Sequence, residues 1–317
     1  MKRTFKIGTR GSDLALWQTN FVKASLERRF PEINFEIKVI TTTGDQLMDV
    51  ALSKIGDKGL FTRQIETELF SGEIDLAVHS LKDLQTVQPE GLTIGAVCER
   101  ERPNDAFISK EFASIGDLPP GARVATGSLR RKSQLLNLRP DLEIVEIRGN
   151  VPTRIRKYEE AGLDAMILAY AGLHRLGLDS HVRQIVPFEV MLPAVGQGAV
   201  AVEIVAKNSD AAEIVSAIDH QSTRACITAE RAFLRTLEGG CQVPIGGVAR
   251  LDGKTLLLQV MVGSLDGKFV FRGADEGKPE EAEGLGIRLA DTLIEKGARE
   301  LLDETRARAQ ASADAVL

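Results

Sequence analysis

Cys241 sits at the centre of Leu237-Glu238-Gly239-Gly240-Cys241-Gln242-Val243-Pro244-Ile245-Gly246-Gly247, with two glycines before it and Pro-x-Gly-Gly after. Glycine enters left-handed backbone without a Cβ penalty, and proline blocks continuation of helix or strand. The run therefore predicts a tight turn that holds its thiol out for something to reach. Most cysteines are small packed hydrophobes, and the plainer interpretation is a helix C-cap with an incidental small residue. On a glycine-flanked loop, covalent attachment or catalysis comes ahead of packing.

A second group is mainly cationic. Arg10, Ser12, Lys82, Asp83, Thr126, Ser128, Arg130, Arg131, Arg148, Arg154 and Arg175 fall in or just after polar loops that follow short apolar runs. Guanidinium forks bind carboxylate or phosphate in bidentate fashion, while hydroxyls and backbone amides fill the remaining lone pairs. A single such arginine is usually a solvated surface charge. So many behind strand ends point to a cleft for a ligand with many negative groups. Asp83 is the one acid in the set, either a structural partner of the cations or the catalytic group. Neither Gly-x4-Gly-Lys-Ser/Thr nor Gly-x-Gly-x-x-Gly after a strand occurs, which excludes the common phosphate loops.

Lys54, Lys58 and Phe61 lie on the glycine-punctuated stretch 52–61, which reads as a lid. His79, His174, His181 and His220 show neither metal spacing nor a triad and read as structural. Cys98 and Cys226 read as inert, and Trp17 and Phe61 as packing residues.

The elements that must position these groups follow a repeated grammar. A strand at 5–7 breaks at Gly8-Thr9-Arg10-Gly11-Ser12, and a helix capped by Ser12 or Asp13 follows. A strand at 35–40, a helix at 60–69 and a strand ending at Ser80 complete the first set. The second set has a strand at 123–125, the loop Thr126-Gly127-Ser128, a helix, a strand at 142–147 ending at Arg148-Gly149-Asn150, and the apolar run 165–169 before a turn at Ala171-Gly172. Both read as α/β lobes with largely parallel sheets, in which ligands sit beyond the carboxyl ends of strands. The segment 97–105, containing Pro103, crosses between lobes. Residues 192–199 cross back, and a strand at 200–205 finishes lobe one. Two Pro/Gly-marked crossings suggest a hinge.

From Ser222 the grammar changes to a helix, the cysteine loop, strands at 248–251, 256–262 and 269–272 with Asp-Gly hairpins, and one amphipathic helix at 280–306. The tail 307–317 is expected to fray. The expected domains are 1–99 plus 200–218, 100–199, and 219–317.

Composition bounds the rest. The 317 residues suffice for two or three domains, and 43% hydrophobic with 27% charged is that of an ordinary soluble protein. A net charge of −5 gives no global field for nucleic acid or an anionic membrane. Three dispersed cysteines argue against a disulfide framework or structural zinc and for a reducing, cytoplasmic setting. No secretory signal or membrane-length apolar run is read.

Taken together, Gly8-Thr9-Arg10, Leu14-Ala15-Leu16-Trp17-Gln18, Lys58-Gly59-Leu60-Phe61, His79-Ser80-Leu81-Lys82-Asp83, Gly127-Ser128-Leu129-Arg130-Arg131, Arg148-Gly149-Asn150-Val151, the run 192–198 and Gly240-Cys241-Gln242-Val243-Pro244 resemble the porphobilinogen deaminase (hydroxymethylbilane synthase) family. The resemblance runs from the first strand to the last domain, in order. It implies two lobes like type II periplasmic binding proteins, with mixed, mainly parallel sheets, and a small C-terminal α+β domain with an antiparallel sheet. It implies a monomeric transferase of tetrapyrrole biosynthesis that adds four porphobilinogen units head to tail, each losing ammonia, to a dipyrromethane cofactor on Cys241, then releases the chain with water.

By position, Asp83 matches the catalytic aspartate, with Lys82 beside it. Lys82, Asp83, Thr126, Ser128, Arg130, Arg131, Ser12, Arg148 and Gly149 match cofactor binders. Arg10, Ser12, Gln18, Arg148, Arg154 and Arg175 match substrate-binding residues. Asp57, Gln85 and Pro152 depart from the family pattern, and none removes a charged or nucleophilic group. A non-catalytic two-lobed polycarboxylate binder would share the arginines but has no need of the Cys241 loop. A cysteine hydrolase would want a histidine base near Cys241, and none is evident.

Overall fold

The computed structural model describes residues 4–42, 62–238 and 243–314. Among these the chain forms two compact units, one of 4–42, 62–101 and 198–224, the other of 102–197 and 225–314.

The first unit opens with β1 (Thr4–Thr9), α1 (Asp13–Arg29) and β2 (Asn34–Val39). Ser12, in extended backbone, caps α1 by accepting from Ala15 N at 3.3 Å, which supplies a partner for one of the first-turn amides. α2 (Arg63–Ser71), β3 (Leu76–Ser80), a single 3-10 turn at Leu81–Asp83 and β4 (Leu92–Val97) follow. In the second unit come β5 (Asp105–Ile108), β6 (Arg123–Ala125), α3 (Leu129–Leu138), β7 (Glu143–Val145) and α4 (Val151–Glu160). β8 (Ala165–Ala169), α5 (Tyr170–Arg175) and β9 (Val182–Ile185) complete that sheet. The chain then returns to the first unit with β10 (Val200–Val205) and α6 (Ser209–Ser216).

The two five-stranded sheets have the same plan. Their orders are β2-β1-β3-β10-β4 and β7-β6-β8-β5-β9. In each, the fourth strand runs antiparallel to both neighbours, and the other pairings are parallel. That odd strand is in each case the one delivered by the crossing segment. The sheets are thus mixed and mainly parallel, as expected, and 200–205 does finish the first sheet. Apolar strands buried on both faces hold each centre: Ile7, Leu76 and Val202 in one, Phe107, Val124 and Ile167 in the other, none more than 0% exposed. Each fully buried side chain of this size contributes roughly 1.5–3 kcal/mol of transfer free energy.

α7 (Gln221–Thr236) leads to an antiparallel meander of β11 (Ile245–Asp252), β12 (Thr255–Gly263) and β13 (Val270–Gly277). Asp252-Gly253 and Asp266-Gly267 form the turns, with φ of 58° and 72° at the glycines. The expected single helix at 280–306 is instead two, α8 (Ala282–Glu295) and α9 (Ala298–Asp314). Gly297 takes φ 98° and donates to Ile294 O, the left-handed stop that ends a helix. The apolar spacing continues across it through Leu293, Ala298 and Leu302, all buried, so periodicity alone hides the break. Residues 307–314, expected to fray, belong to α9.

Three further corrections concern local structure. Ala171-Gly172 lies inside α5 and is no turn. β4, β5 and β9 form where no strand was read. Trp17 is 37% exposed and stacks on Phe21 with ring centroids 5.6 Å apart, so it is not a core residue. Among the described residues no helix is long and apolar enough to cross a membrane.

Candidate active site

In the first unit the candidates gather beyond the carboxyl ends of β1 and β3, which pair in parallel. Half-buried Arg10 and Ser12 follow β1. Lys82, half-buried, and Asp83, exposed, occupy the 3-10 turn after β3. Ser80, the last residue of β3, meets the amide of Gln18 at 2.9 Å, Nε2 donating to Oγ. Gln18 is 3% exposed, so this bond ties α1 to the strand end that carries Lys82 and Asp83.

In the second unit the candidates lie beyond β6, β7 and β8, adjacent strands of one sheet. Thr126 Oγ1 accepts from Ser128 N at 3.2 Å, and Ser128 Oγ caps α3 by accepting from Arg131 N at 3.4 Å. The 126–128 loop touches the loop after β7, where a Cβ on Gly127 would come within 2.9 Å of Ile147 O. Arg148 donates through Nε to Glu146 Oε1 at 2.8 Å. Gly149 has φ 121°, and a Cβ there would come within 2.7 Å of Thr153. Arg154 Nε donates to Gly149 O at 2.7 Å, and Asn150 caps α4. Pro152 falls in the first turn of α4, where its missing N–H costs nothing. Arg175 ends α5 and is half-buried.

Beneath the 126–128 loop lies a group that the sequence reading passed over. Asp105, 0% exposed, accepts from Arg130 Nη1 at 2.7 Å and from Arg131 Nη2 at 2.8 Å. Gln197 Nε2 donates to the same carboxylate at 2.9 Å. Arg130 also donates to Leu192 O at 2.7 Å, and Arg131 to Ile167 O at 3.2 Å. Burial works to raise the Asp105 pKa, but the two guanidinium groups outweigh it and hold the carboxyl well below the usual carboxylate range. Burial lowers Arg130 from its ordinary value against the pull of Asp105. A guanidinium starts so high that it stays charged.

One carboxylate between two guanidinium groups leaves one positive charge over. Arg130 Nε is buried with no hydrogen-bond partner among the described residues. Asp105 was read as the end of a crossing segment. The available signal was an acid opening the wholly apolar Ala106-Phe107-Ile108.

Cys241, Lys54, Lys58 and Phe61 lie outside the described residues. Both stems of the cysteine segment are described. Leu237 and Val243 are buried in the C-terminal core. Glu238 takes φ 52°, uncommon for a non-glycine residue, and Arg306 Nη2 donates to its carbonyl at 2.9 Å. Cys98 and Cys226 are buried. Among the described residues no group of three or more His, Cys, Asp or Glu could hold a metal ion.

Comparison with known proteins bears on this arrangement. Among solved structures, the methionine binding protein MetQ matches at 15% identity and TM-score 0.44, covering 68% of this chain and 88% of that one. A TRAP periplasmic solute binding protein from Desulfovibrio salexigens matches at 10% identity and TM-score 0.43, covering 69% and 73%. Likeness at that level adds nothing to the strand orders themselves. Sequence relatives are much nearer. Porphobilinogen deaminase of Carboxydothermus hydrogenoformans is 53% identical over 96% of this chain and 98% of its own length. That of Chlorobaculum parvum is 52% identical over 96% and 99%. Residues 5–213 match the family model "Porphobilinogen deaminase, dipyromethane cofactor binding domain", and 224–295 match "Porphobilinogen deaminase, C-terminal domain". With both models matched in order and half the residues identical over nearly the whole length, this chain belongs to the porphobilinogen deaminase family.

Proposed function

We propose that this chain is a hydroxymethylbilane synthase, a transferase that condenses four porphobilinogen molecules head to tail with loss of ammonia and releases the linear tetrapyrrole by hydrolysis. The observation that carries the reading is the excess of guanidinium groups beyond β6, β7 and β8 in a chain of this family. The family also disfavours the alternative of a non-catalytic polycarboxylate binder.

The residues present fit a dipyrromethane cofactor. Every pyrrole of the substrate brings two carboxylates, so a primer built from it is polyanionic. The buried Arg130–Arg131–Asp105 group carries a surplus positive charge and an unfilled Nε donor, and Ser128 and Thr126 add hydroxyls at the start of α3. An uncompensated buried charge is costly, and a carboxylate partner relieves that cost. When bound through Cys241, the cofactor supplies the pyrrole α-carbon to which units are added.

The proposed roles divide by chemistry. Lys82, Ser12, Thr126, Ser128, Arg130, Arg131, Arg148 and Gly149 hold cofactor carboxylates. Arg10, Gln18, Arg154 and Arg175 orient substrate and chain carboxylates through charge-assisted hydrogen bonds. Asp83 faces the positive charge that develops on porphobilinogen as ammonia leaves and again as the new bond forms. Its carboxylate stabilises that charge, most strongly where water is excluded. Asp83 Oδ also accepts a proton released when the pyrrole ring regains aromaticity. Domains of 1–99 plus 200–218, 100–199 and 219–317 then carry the catalytic acid, the carboxylate binders and the attachment cysteine respectively. The three dispersed cysteines suit a cytoplasmic enzyme, here taken as a monomer.

The test is a porphobilinogen assay on the purified chain. Ammonia released and substrate consumed should match in amount, with a linear tetrapyrrole as product. Binding of porphobilinogen without consumption would return the reading to a polycarboxylate binder.

A further inference from the structure

Glu203 of β10 is buried at 0% exposure, and neither carboxylate oxygen has a hydrogen-bond partner among the described residues. The proposed chemistry makes no use of it. His79 of β3, 6% exposed, brings its Nε2 to 3.3 Å from Glu203 Oε2. An isolated buried polar group in such surroundings is strongly disfavoured, so carboxylate and imidazole stabilise each other only as a pair. An apolar pair of the same volume would be at least as stabilising. The two polar groups therefore call for another explanation.

The strands supply one. Leu76, Ala77 and Val78 of β3 and Val200, Ala201 and Val202 of β10 are all buried, so these neighbours are apolar on both faces. Where both faces are apolar, alternation does not encode register. No hairpin turn joins β3 to β10 to set it either. The observed register puts Ala201 opposite His79 and Glu203 opposite Ala77, which makes His79 and Glu203 diagonal neighbours on one face. A slip of one residue turns one of them to the other face and strands both among apolar side chains. Glu203 also marks the register shift between Val202 and Glu203 in the pairing of β10 with β4, where a bulge redirects the strand.

Register here has a consequence for the site. β3 passes from His79 through Ser80 into the turn Leu81–Asp83, and Leu81 N donates to Ala199 O at 3.0 Å. A one-residue slip would carry Lys82 and Asp83 about 3.3 Å along the sheet. We infer that His79 and Glu203 are positioning residues whose buried pairing pins the β3–β10 register and thereby fixes where Lys82 and Asp83 stand. The inference rests on the catalytic reading of Asp83 given above.

The test uses cofactor-loaded protein. A double variant, His79→Leu with Glu203→Leu, keeps burial and removes the pin. It should melt near the parent, show raised deuterium uptake in peptides covering 76–84, and lose turnover by ~10²-fold with KM within about threefold, as displaced catalytic groups do. Parental turnover and parental uptake in that variant would overturn the inference. Raised uptake with parental turnover would overturn the link from register to Asp83, whereas an Asp83→Asn variant that turns over normally would refute the catalytic reading itself.

Should the double variant not fold, two single variants decide. Glu203→Gln keeps a polar group against His79 and should keep turnover within about threefold, while Glu203→Leu should fall with the double variant. Equal turnover in the two would count against the pin. The unsubstituted chain gives a reading independent of folding: the His79 ring N–H facing Glu203 should appear in a nitrogen-15 spectrum as an exchange-protected signal. Its absence would overturn the pairing.

Discussion

Arg130 and Arg131 share Asp105, and the charge count of that buried trio governs two expectations. Asp105→Asn leaves two guanidinium groups without a counter-charge and should destabilise the chain by about 3–5 kcal/mol in denaturant unfolding. The folded-state pKa of Asp105 is depressed, so its contribution is fully present above the unfolded value near about 3.9 and declines as pH falls toward the lower folded value. Unfolding midpoints followed from pH 7 down to pH 3 should show a decline setting in below about pH 4 that Asp105→Asn makes shallower. Asp83 is the contrasting acid, exposed and on a turn. Asp83→Asn should fold and load cofactor normally yet lose at least ~10² in single-turnover elongation, the scale of one electrostatic stabiliser.

The type of Asp83, Arg130 and Arg131 and their place after an apolar strand were legible in the sequence, but Arg130 and Arg131 lie buried in the first turn of α3 and not in a loop. The partner of the two arginines was not legible. Asp105 meets them through a tertiary contact across 25 positions of sequence, and no local pattern encodes such a contact.

At the scale of elements, the loop between β7 and α4 is a sterically demanding stretch. Gly149→Ala must take an unfavourable positive φ and push into Thr153, and it should cost about 1–3 kcal/mol in thermal or urea unfolding. Asn150→Ala, which removes only the α4 cap, should cost about 1 kcal/mol. Since Arg154 bonds the Gly149 carbonyl, Gly149→Ala should also weaken substrate retention more than the cap variant does.

The strand–loop–helix units were readable because their strands are short, apolar and stopped by glycine, and β10 was readable as a six-residue run that is apolar except for Glu203. β5 was not. Its four residues follow Pro103, and a proline-marked segment reads as a linker. The α8–α9 break was likewise hidden, since Gly297 interrupts the backbone without interrupting the apolar stripe.

For the whole molecule, the net charge of −5 conceals local cationic sets that only folding collects. Chain-wide composition was therefore silent about a carboxylate site. If the cofactor fills that site, cofactor-free protein carries an unrelieved buried charge. Cys241→Ser should then melt below the loaded parent, as for any ligand that binds only the folded state.

The measurement that tests the account most directly is the intact mass of the purified chain, followed by peptide mapping. The account predicts a mass above that of the sequence by one dipyrromethane, localised to Cys241, and further increments of one pyrrole unit each when porphobilinogen is added. A fully active protein whose mass equals that of its sequence, with Cys241 unmodified, would contradict it.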